Sequence, residues 1–215
     1  MKENRKKSLK KEIKKISKIT LEAQSSFLIV EYLLKDEKDD DKSYEKNMNT
    51  FLYFSKISFW QKAVLELSKI YLDREKFSLI KLIRKLKNDG EYSKAKIPNE
   101  KLQEWSEHIS HNEIVINNLK EQRDKVYAHE DGRADSIVNI ASLSQIKDLI
   151  SLSFKITNEV RKHIGLYYLQ PELINEPATA LKYCIDRLVK EKRTNINKLR
   201  KLAKEYGLEN ELPPE

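Results

Sequence analysis

The chain has 215 residues, and its 21 Ile and 26 Leu are too many for a disordered polyelectrolyte, although 35% of all residues are charged. With only 4 Gly and 5 Pro it contains few helix breakers, which predicts an all-α protein. The net charge of +8 suits a polyanionic partner, but Lys-rich helical surfaces also occur where solubility is their only role.

Hydrophobic periodicity predicts helices along the first third of the chain. Apolar residues spaced three and four apart predict a long first helix over residues 8–34, followed by a solvated acidic loop over 35–43. A second helix is expected over 44–71, with Met48 and Phe51 on its buried side. The loop lacks the glycine and the final glutamate of an EF-hand, so we expect no calcium site there.

Local start signals predict the central helices. A short helix is expected over 78–87, and a fourth begins after Pro98. Segments 110–113 and 142–145 each fit a capping box, and they predict two further helices that run to about residues 132 and 169.

Two shorter helices are expected near the end of the chain. The first is opened by Pro177 and extends to about Leu188, and the second is capped by Thr194. We therefore divide the chain into an antiparallel bundle of about five helices over residues 1–170 and a basic helical C-terminal extension over 171–215.

The single cysteine and the lack of long apolar runs indicate in which cellular compartment the protein works. The lone cysteine, Cys184, excludes an intrachain disulfide framework and a multi-cysteine zinc site, and it indicates a reducing compartment. The first helix has no apolar run longer than residues 27–30, and the Lys-rich start of the chain resembles neither a signal peptide nor a membrane span. We expect a cytoplasmic protein without a membrane partner.

One helical position conflicts with its surroundings. On a helical wheel Arg123 lies in the middle of an apolar stripe that includes Ile116 and Leu119. A guanidinium does not deprotonate, so burial there requires a bound anion, a cavity or a carboxylate, such as Glu66 or an acid of another helix. His129 lies on the flank of the stripe, about 120° and about 9 Å from Arg123 if the helix is regular.

Arg123 and His129 belong to the string RDKVYAH, residues 123–129, which fits the pattern Arg-x(4–6)-His with a polar residue directly after the arginine. On the penultimate helix of an all-helical bundle, this string resembles the motif of HEPN domains. The sequence RDKVYAHED is most similar to the motif of the AbiU-like branch, which is associated with abortive phage infection. Segments 59–73 and 78–82 also resemble that branch, and the likeness extends over about residues 20–165.

The resemblance implies an endoribonuclease that needs no metal or other cofactor and works as a homodimer, with the two motif helices forming one composite cleft. Arg123 would hold the scissile phosphate, and His129 would serve as general acid or base. Asp124 would orient or pair with one of them. Tyr127 and Lys125 would bind the substrate, and the products would be a 2′,3′-cyclic phosphate and a 5′-hydroxyl.

The implied partners are an RNA substrate, a second copy of the chain and a nucleotidyltransferase-like antitoxin. A rival interpretation is a non-catalytic HEPN-like module that binds nucleic acid or protein, and a third is a helical adaptor without a nucleic-acid role. Segments 1–18 and 182–204 each hold nine bases against two acids, so both are either solvated surface or RNA-binding surface.

Structural alternatives stay open for single residues of the motif. Arg123 is also explained as a member of an internal ion pair. His129 is also explained as a histidine that stabilises a helix end, and Tyr127 as an aromatic residue that packs in the core. His108 and His111 are three residues apart but lack further ligands at metal-site spacing, so we predict no metal site.

Overall fold

The fold is all-α in the part of the chain that the structure describes, which confirms the predicted class. This computed structural model describes residues 3–35, 38–127, 140–170 and 176–208, with the backbone alone described at 125–127 and 176. Its α-helices are α1 (Glu3–Leu34), α2 (Asp40–Met48), α3 (Thr50–Tyr71), α4 (Leu79–Leu86), α5 (Asn99–His111), α6 (Glu113–Glu121), α7 (Leu143–His163) and α8 (Glu176–Glu205). A π-helical segment, Gln122–Tyr127, continues α6.

The main core lies where five helices meet. Helices α1, α3, α5, α6 and α7 each contribute fully buried side chains, among them Ile13, Leu67, Trp105, Leu119 and Ile156. These five helices correspond to the predicted bundle of about five. Helix α4 packs on the same core.

Helix α1 runs antiparallel to α7. Near the end of α1, Glu31 accepts a hydrogen bond from Lys147 at the start of α7, at 2.9 Å. In the first half of α1, Ser17 accepts one from Arg161 at the end of α7, at 3.4 Å. The two contacts show that α1 and α7 lie side by side over most of the length of α7.

A buried tyrosine ties the end of α3 to α7. The hydroxyl of Tyr71 donates to the backbone oxygen of Leu149 at 2.6 Å and accepts from the Ser153 hydroxyl at 2.9 Å. Burial raises the pKa of Tyr71, so the phenol stays protonated and able to donate. This contact fixes the point from which the turn between α3 and α4 begins.

Two predictions for residues 35–71 are wrong. The acidic segment is not all loop, because the Asp39 side chain caps a helix that begins at the next residue. The second predicted helix is two helices, because the Asn49 side chain accepts from two backbone N–H groups in the first turn of α3. The break turns Met48 and Phe51 toward solvent, and they are 64% and 74% exposed instead of buried.

The two predicted capping boxes differ in outcome. The box of Ser142 and Gln145 is confirmed, with backbone-to-side-chain distances of 3.3 and 2.8 Å. The box over 110–113 is absent, because α5 continues to His111 and Asn112 joins it to α6. The helix that begins after Ser142 ends at His163 rather than near residue 169, and the predicted helix end near residue 132 lies outside the described residues.

The C-terminal residues form one helix, α8, where two were predicted. Its side chains Ile185 and Val189 pack with Ile29, Leu33 and Leu52 in a second, smaller core. The division into a bundle over residues 1–170 and an extension over 171–215 stays a prediction. Among the described helices, none has a stretch of sufficient length and apolar character to cross a membrane.

Candidate functional site

The helix that contains Arg123 changes its hydrogen-bond pattern near that residue. Helix α6 ends at Glu121, and residues Gln122–Tyr127 are π-helical. Ile116 and Leu119 are buried, as the helical wheel predicted, and the side chain of Arg123 is 11% exposed. Single π-helical turns occur often at functional sites, because they displace side chains from the regular α-helical positions.

Two carboxylates hold the guanidinium of Arg123. Its Nη1 donates to Glu75 Oε1 at 2.7 Å, and its Nε donates to Asp124 Oδ1 at 2.9 Å. The internal ion pair considered from the sequence is therefore present, but with Glu75 and Asp124 rather than Glu66, whose Oε1 bonds to Lys69 at 2.7 Å. These contacts orient the guanidinium plane and use two of its five N–H groups.

A second arginine joins the same cluster through Asp124. The Nη2 of Arg74 donates to Asp124 Oδ1 at 2.7 Å and to Oδ2 at 2.8 Å. Since Arg123 and Arg74 both bond Oδ1, their donor nitrogens are no more than about 6 Å apart. Two cations and two carboxylates face each other here, so this four-residue cluster of Arg74, Glu75, Arg123 and Asp124 carries no net charge.

Arg74 and Glu75 lie in a turn, residues 72–78, that is anchored at both ends. Leu72 is buried, and Ser78 is buried and caps α4 by accepting from the backbone of its first turn at 3.2 Å. The backbone N–H of Glu75 donates to the Leu72 carbonyl at 3.0 Å. Sequence reasoning missed both charged residues, and the available signal was a run of four charges, 73–76, directly after a core helix.

Gln122, the first residue of the π-helical segment, is 1% exposed. Neither polar atom of its side-chain amide has a hydrogen-bond partner among the described residues. A buried polar group without a partner costs about 1–3 kcal/mol. Judged by its described neighbours, the side chain of Gln122 is unfavourable at the position next to Arg123, and an apolar residue of the same shape would avoid this cost.

The structure describes only part of the motif predicted from the sequence. Asp124 contacts Arg123 directly. Lys125 and Tyr127 lie in the π-helical segment, where the backbone alone is described, and His129 lies outside the described residues. The catalytic and substrate-binding roles of these five residues stay predictions.

The two histidines weighed as a metal pair contact neighbouring residues of α5. His108 Nε2 lies 3.8 Å from Glu104 Oε1, and His111 Nδ1 lies 2.8 Å from the carbonyl oxygen of Glu107. In the described ranges, no three or more His, Cys, Asp or Glu side chains are grouped to hold a metal ion.

Comparison with known proteins gives one match. The family model HEPN_AbiU2, described as AbiU2, matches residues 6–179, a range that extends from the first turns of α1 through the helix of Arg123 to the first residues of α8. No curated protein and no solved structure matches the chain.

Proposed function

The chain belongs to the AbiU2 family of HEPN domains, and on this basis we propose that it is an endoribonuclease that cleaves RNA at a composite site of a homodimer. The observation that most supports this proposal is the state of Arg123. Its side chain is 11% exposed and is oriented by Glu75 and Asp124 at a π-helical turn. A cation fixed in this way is suited to bind a phosphate that approaches its remaining donors.

In the proposed reaction, the ribose 2′-oxygen attacks the scissile phosphorus and the 5′-oxygen of the next nucleotide leaves. One proton departs from the 2′-hydroxyl and one arrives at the leaving oxygen, and His129 transfers protons at this site. Arg123 binds the non-bridging oxygens and stabilises the charge that develops on them. The products are a 2′,3′-cyclic phosphate and a 5′-hydroxyl, and the atoms of the RNA balance without a co-reactant.

The homodimer is part of the proposal because each chain supplies one Arg123 and one His129. Two motif helices that face each other gather both pairs around a single strand. We place Tyr127 and Lys125 at the RNA in this cleft. We also propose a cytoplasmic location and control of activity by a nucleotidyltransferase-like antitoxin.

One observation favours a second candidate, a non-catalytic module that binds nucleic acid or protein. The positive charges of Arg123 and Arg74 are balanced by Glu75 and Asp124. In this arrangement the cluster is also a complete structural ion-pair network. RNA binding without cleavage would be the signature of this second candidate.

The test is RNA cleavage by the purified full chain in the presence of a metal chelator. Arg123→Ala and His129→Ala are compared with Arg84→Ala and His163→Ala, which change an exposed arginine and an exposed histidine elsewhere. We expect 5′-hydroxyl ends from the wild type and the two controls, and none from the two motif variants. Equal cleavage by the motif variants would refute the proposal, and salt-sensitive binding without cleavage by the wild type would establish the binding module.

A further inference from the structure

A cleft of about 400 Å³ lies beside the Arg74–Asp124 pair, between the turn 72–78 and helices α5 and α6. Leu72, Ile109 and Ile116 form an apolar wall, and each is 7% exposed. Ligand sites measure roughly 300–1,000 Å³ and combine apolar walls with a few polar groups. This cleft is at the small end of that range, which suits a single nucleotide.

The cleft is connected to Arg123 through hydrogen bonds of Arg74 and Asp124. Along α6, Ile116 and Lys120 line the cleft, and Asp124 follows four residues after Lys120 in the π-helical segment. Arg74 also lines the cleft, and it bonds Asp124 at 2.7 Å. Asp124 in turn bonds Arg123 at 2.9 Å, so two hydrogen bonds connect a wall of the cleft with the guanidinium at the proposed reaction centre.

Polar side chains surround the cleft. Ser110, Glu113, Asn117 and Lys120 line it and are exposed. None of these four side chains has a hydrogen-bond or ion-pair partner among the described residues. Within the described part of the chain, the cleft therefore offers a carboxylate, an amide, a hydroxyl and an ammonium without a partner, which can bind a ligand.

We propose that this cleft binds one base of single-stranded RNA, next to the scissile phosphate, and that it selects a base with an exocyclic amino group. The inference rests on the proposed nuclease function, to which it adds a sequence preference. Single-stranded RNA is the appropriate substrate form, because an unstacked base can enter a cleft and expose its hydrogen-bonding edge.

The selection follows from the chemistry of Glu113. An ionised carboxylate only accepts hydrogen bonds, so it pairs with the amino group of cytosine, adenine or guanine. Uracil presents a carbonyl oxygen where cytosine has its amino group, and its one donor on this edge, N3–H, lies between two carbonyl oxygens that repel the carboxylate. In the proposal, Lys120 and those N–H groups of Arg74 that bond no described residue contact the phosphates beside the base.

The test measures binding apart from cleavage. Fluorescently labelled hexamers of cytidine and of uridine, both 2′-O-methylated so that the nucleophile is blocked, are titrated with the full chain, and anisotropy is recorded. We expect about tenfold tighter binding of the cytidine hexamer, the effect of one hydrogen bond to a charged group. Glu113→Gln should bring the ratio of the two dissociation constants, uridine hexamer to cytidine hexamer, close to one. Glu100→Gln, which changes a first-turn glutamate of α5, should leave it unchanged.

A lysine pair tests the phosphate contact. Lys120→Ala should weaken binding of both hexamers equally and reduce the salt dependence by about one ion. Lys94→Ala, which removes an exposed lysine outside the cleft, should do neither. A wild-type ratio of one, or a ratio that Glu113→Gln leaves unchanged, would overturn the proposal.

Different results would refute the nuclease proposal and the proposal of a base-binding cleft. If the wild type prefers the cytidine hexamer but cleaves no RNA, the cleft stands and the nuclease proposal falls. If the wild type cleaves unmethylated RNA but shows a ratio of one, the nuclease stands and the cleft proposal falls. Arg123→Ala should abolish cleavage while it keeps the preference between the two hexamers.

Discussion

Replacing Glu75 with glutamine tests whether the Arg123 ion pair stabilises the fold. The substitution keeps the shape of the side chain and removes its charge. A hydrogen bond to a charged group contributes about 1.5–3 kcal/mol, and we expect about 1–2 kcal/mol here, because Glu75 is 31% exposed and Arg123 keeps Asp124. For a chain of this length, that loss lowers the melting temperature by about 2–8 °C.

The measurement is thermal unfolding, followed by circular dichroism at low salt. The matched control is Glu31→Gln, which removes the charge from a pair with Lys147 whose side chains are 40% and 61% exposed. Such an exposed pair contributes at most about 1 kcal/mol, so its shift should be smaller. Equal shifts for the two variants would refute the argument that the burial of Arg123 makes its counter-charge important.

Three further predictions concern single side chains of the bundle. Tyr71→Phe removes a buried hydrogen bond to α7 and should lower the melting temperature by about 2–4 °C, with a smaller effect refuting that bond. Hydrogen bonds from Lys101 and Lys155 lower the pKa of Glu104 from 4.5 to about 2. The stability that they provide is complete above pH 4.5 and is lost as the pH falls toward 2, so acid titration of Glu104→Gln should show a weaker loss over this window. Gln122→Met removes an unpartnered buried amide and should raise the melting temperature by a few degrees, and a decrease would show that the amide has a partner in solution.

The buried stripe of α6 could be predicted because its spacing repeats. Ile116 and Leu119 lie three apart on a helix, and this pattern shows which face points to the core. From that face alone, Arg123 had to be a charged residue with limited exposure. The structure confirms the limited exposure and supplies the carboxylates.

Errors occurred where a single polar side chain decides between two local structures. Asn49 interrupts a strongly periodic segment by capping α3, so the apolar face before the break does not continue after it. Ser110 fits a capping pattern but stays inside α5, and Asn112 bonds to the carbonyl oxygen of His108 instead. Such choices depend on the competition of nearby backbone groups, which a sequence pattern does not rank.

Glu75, the second partner of Arg123, could not be predicted, because it is 48 residues away in the chain. Glu66 was an equally plausible acid from the sequence, since it lies on a helix that packs against the motif helix. Only the packing of α3 against α6 decides that the turn after α3, rather than its middle, reaches the guanidinium. The same packing positions Arg74 and the cleft that it lines. No local sequence pattern indicates this cleft.

The π-helical segment determines how Arg123 relates to the residues that follow it. A regular α-helix turns by 100° per residue, and this value placed His129 about 120° from Arg123 on the wheel. Residues Gln122–Tyr127 instead have the wider i→i+5 pattern, so the regular wheel no longer applies beyond α6. Glu75 and Asp124 hold the guanidinium of Arg123 near the beginning of this segment. A geometry for the proposed pair of Arg123 and His129 therefore has to start from the i→i+5 pattern of Gln122–Tyr127, and not from the six-residue spacing alone.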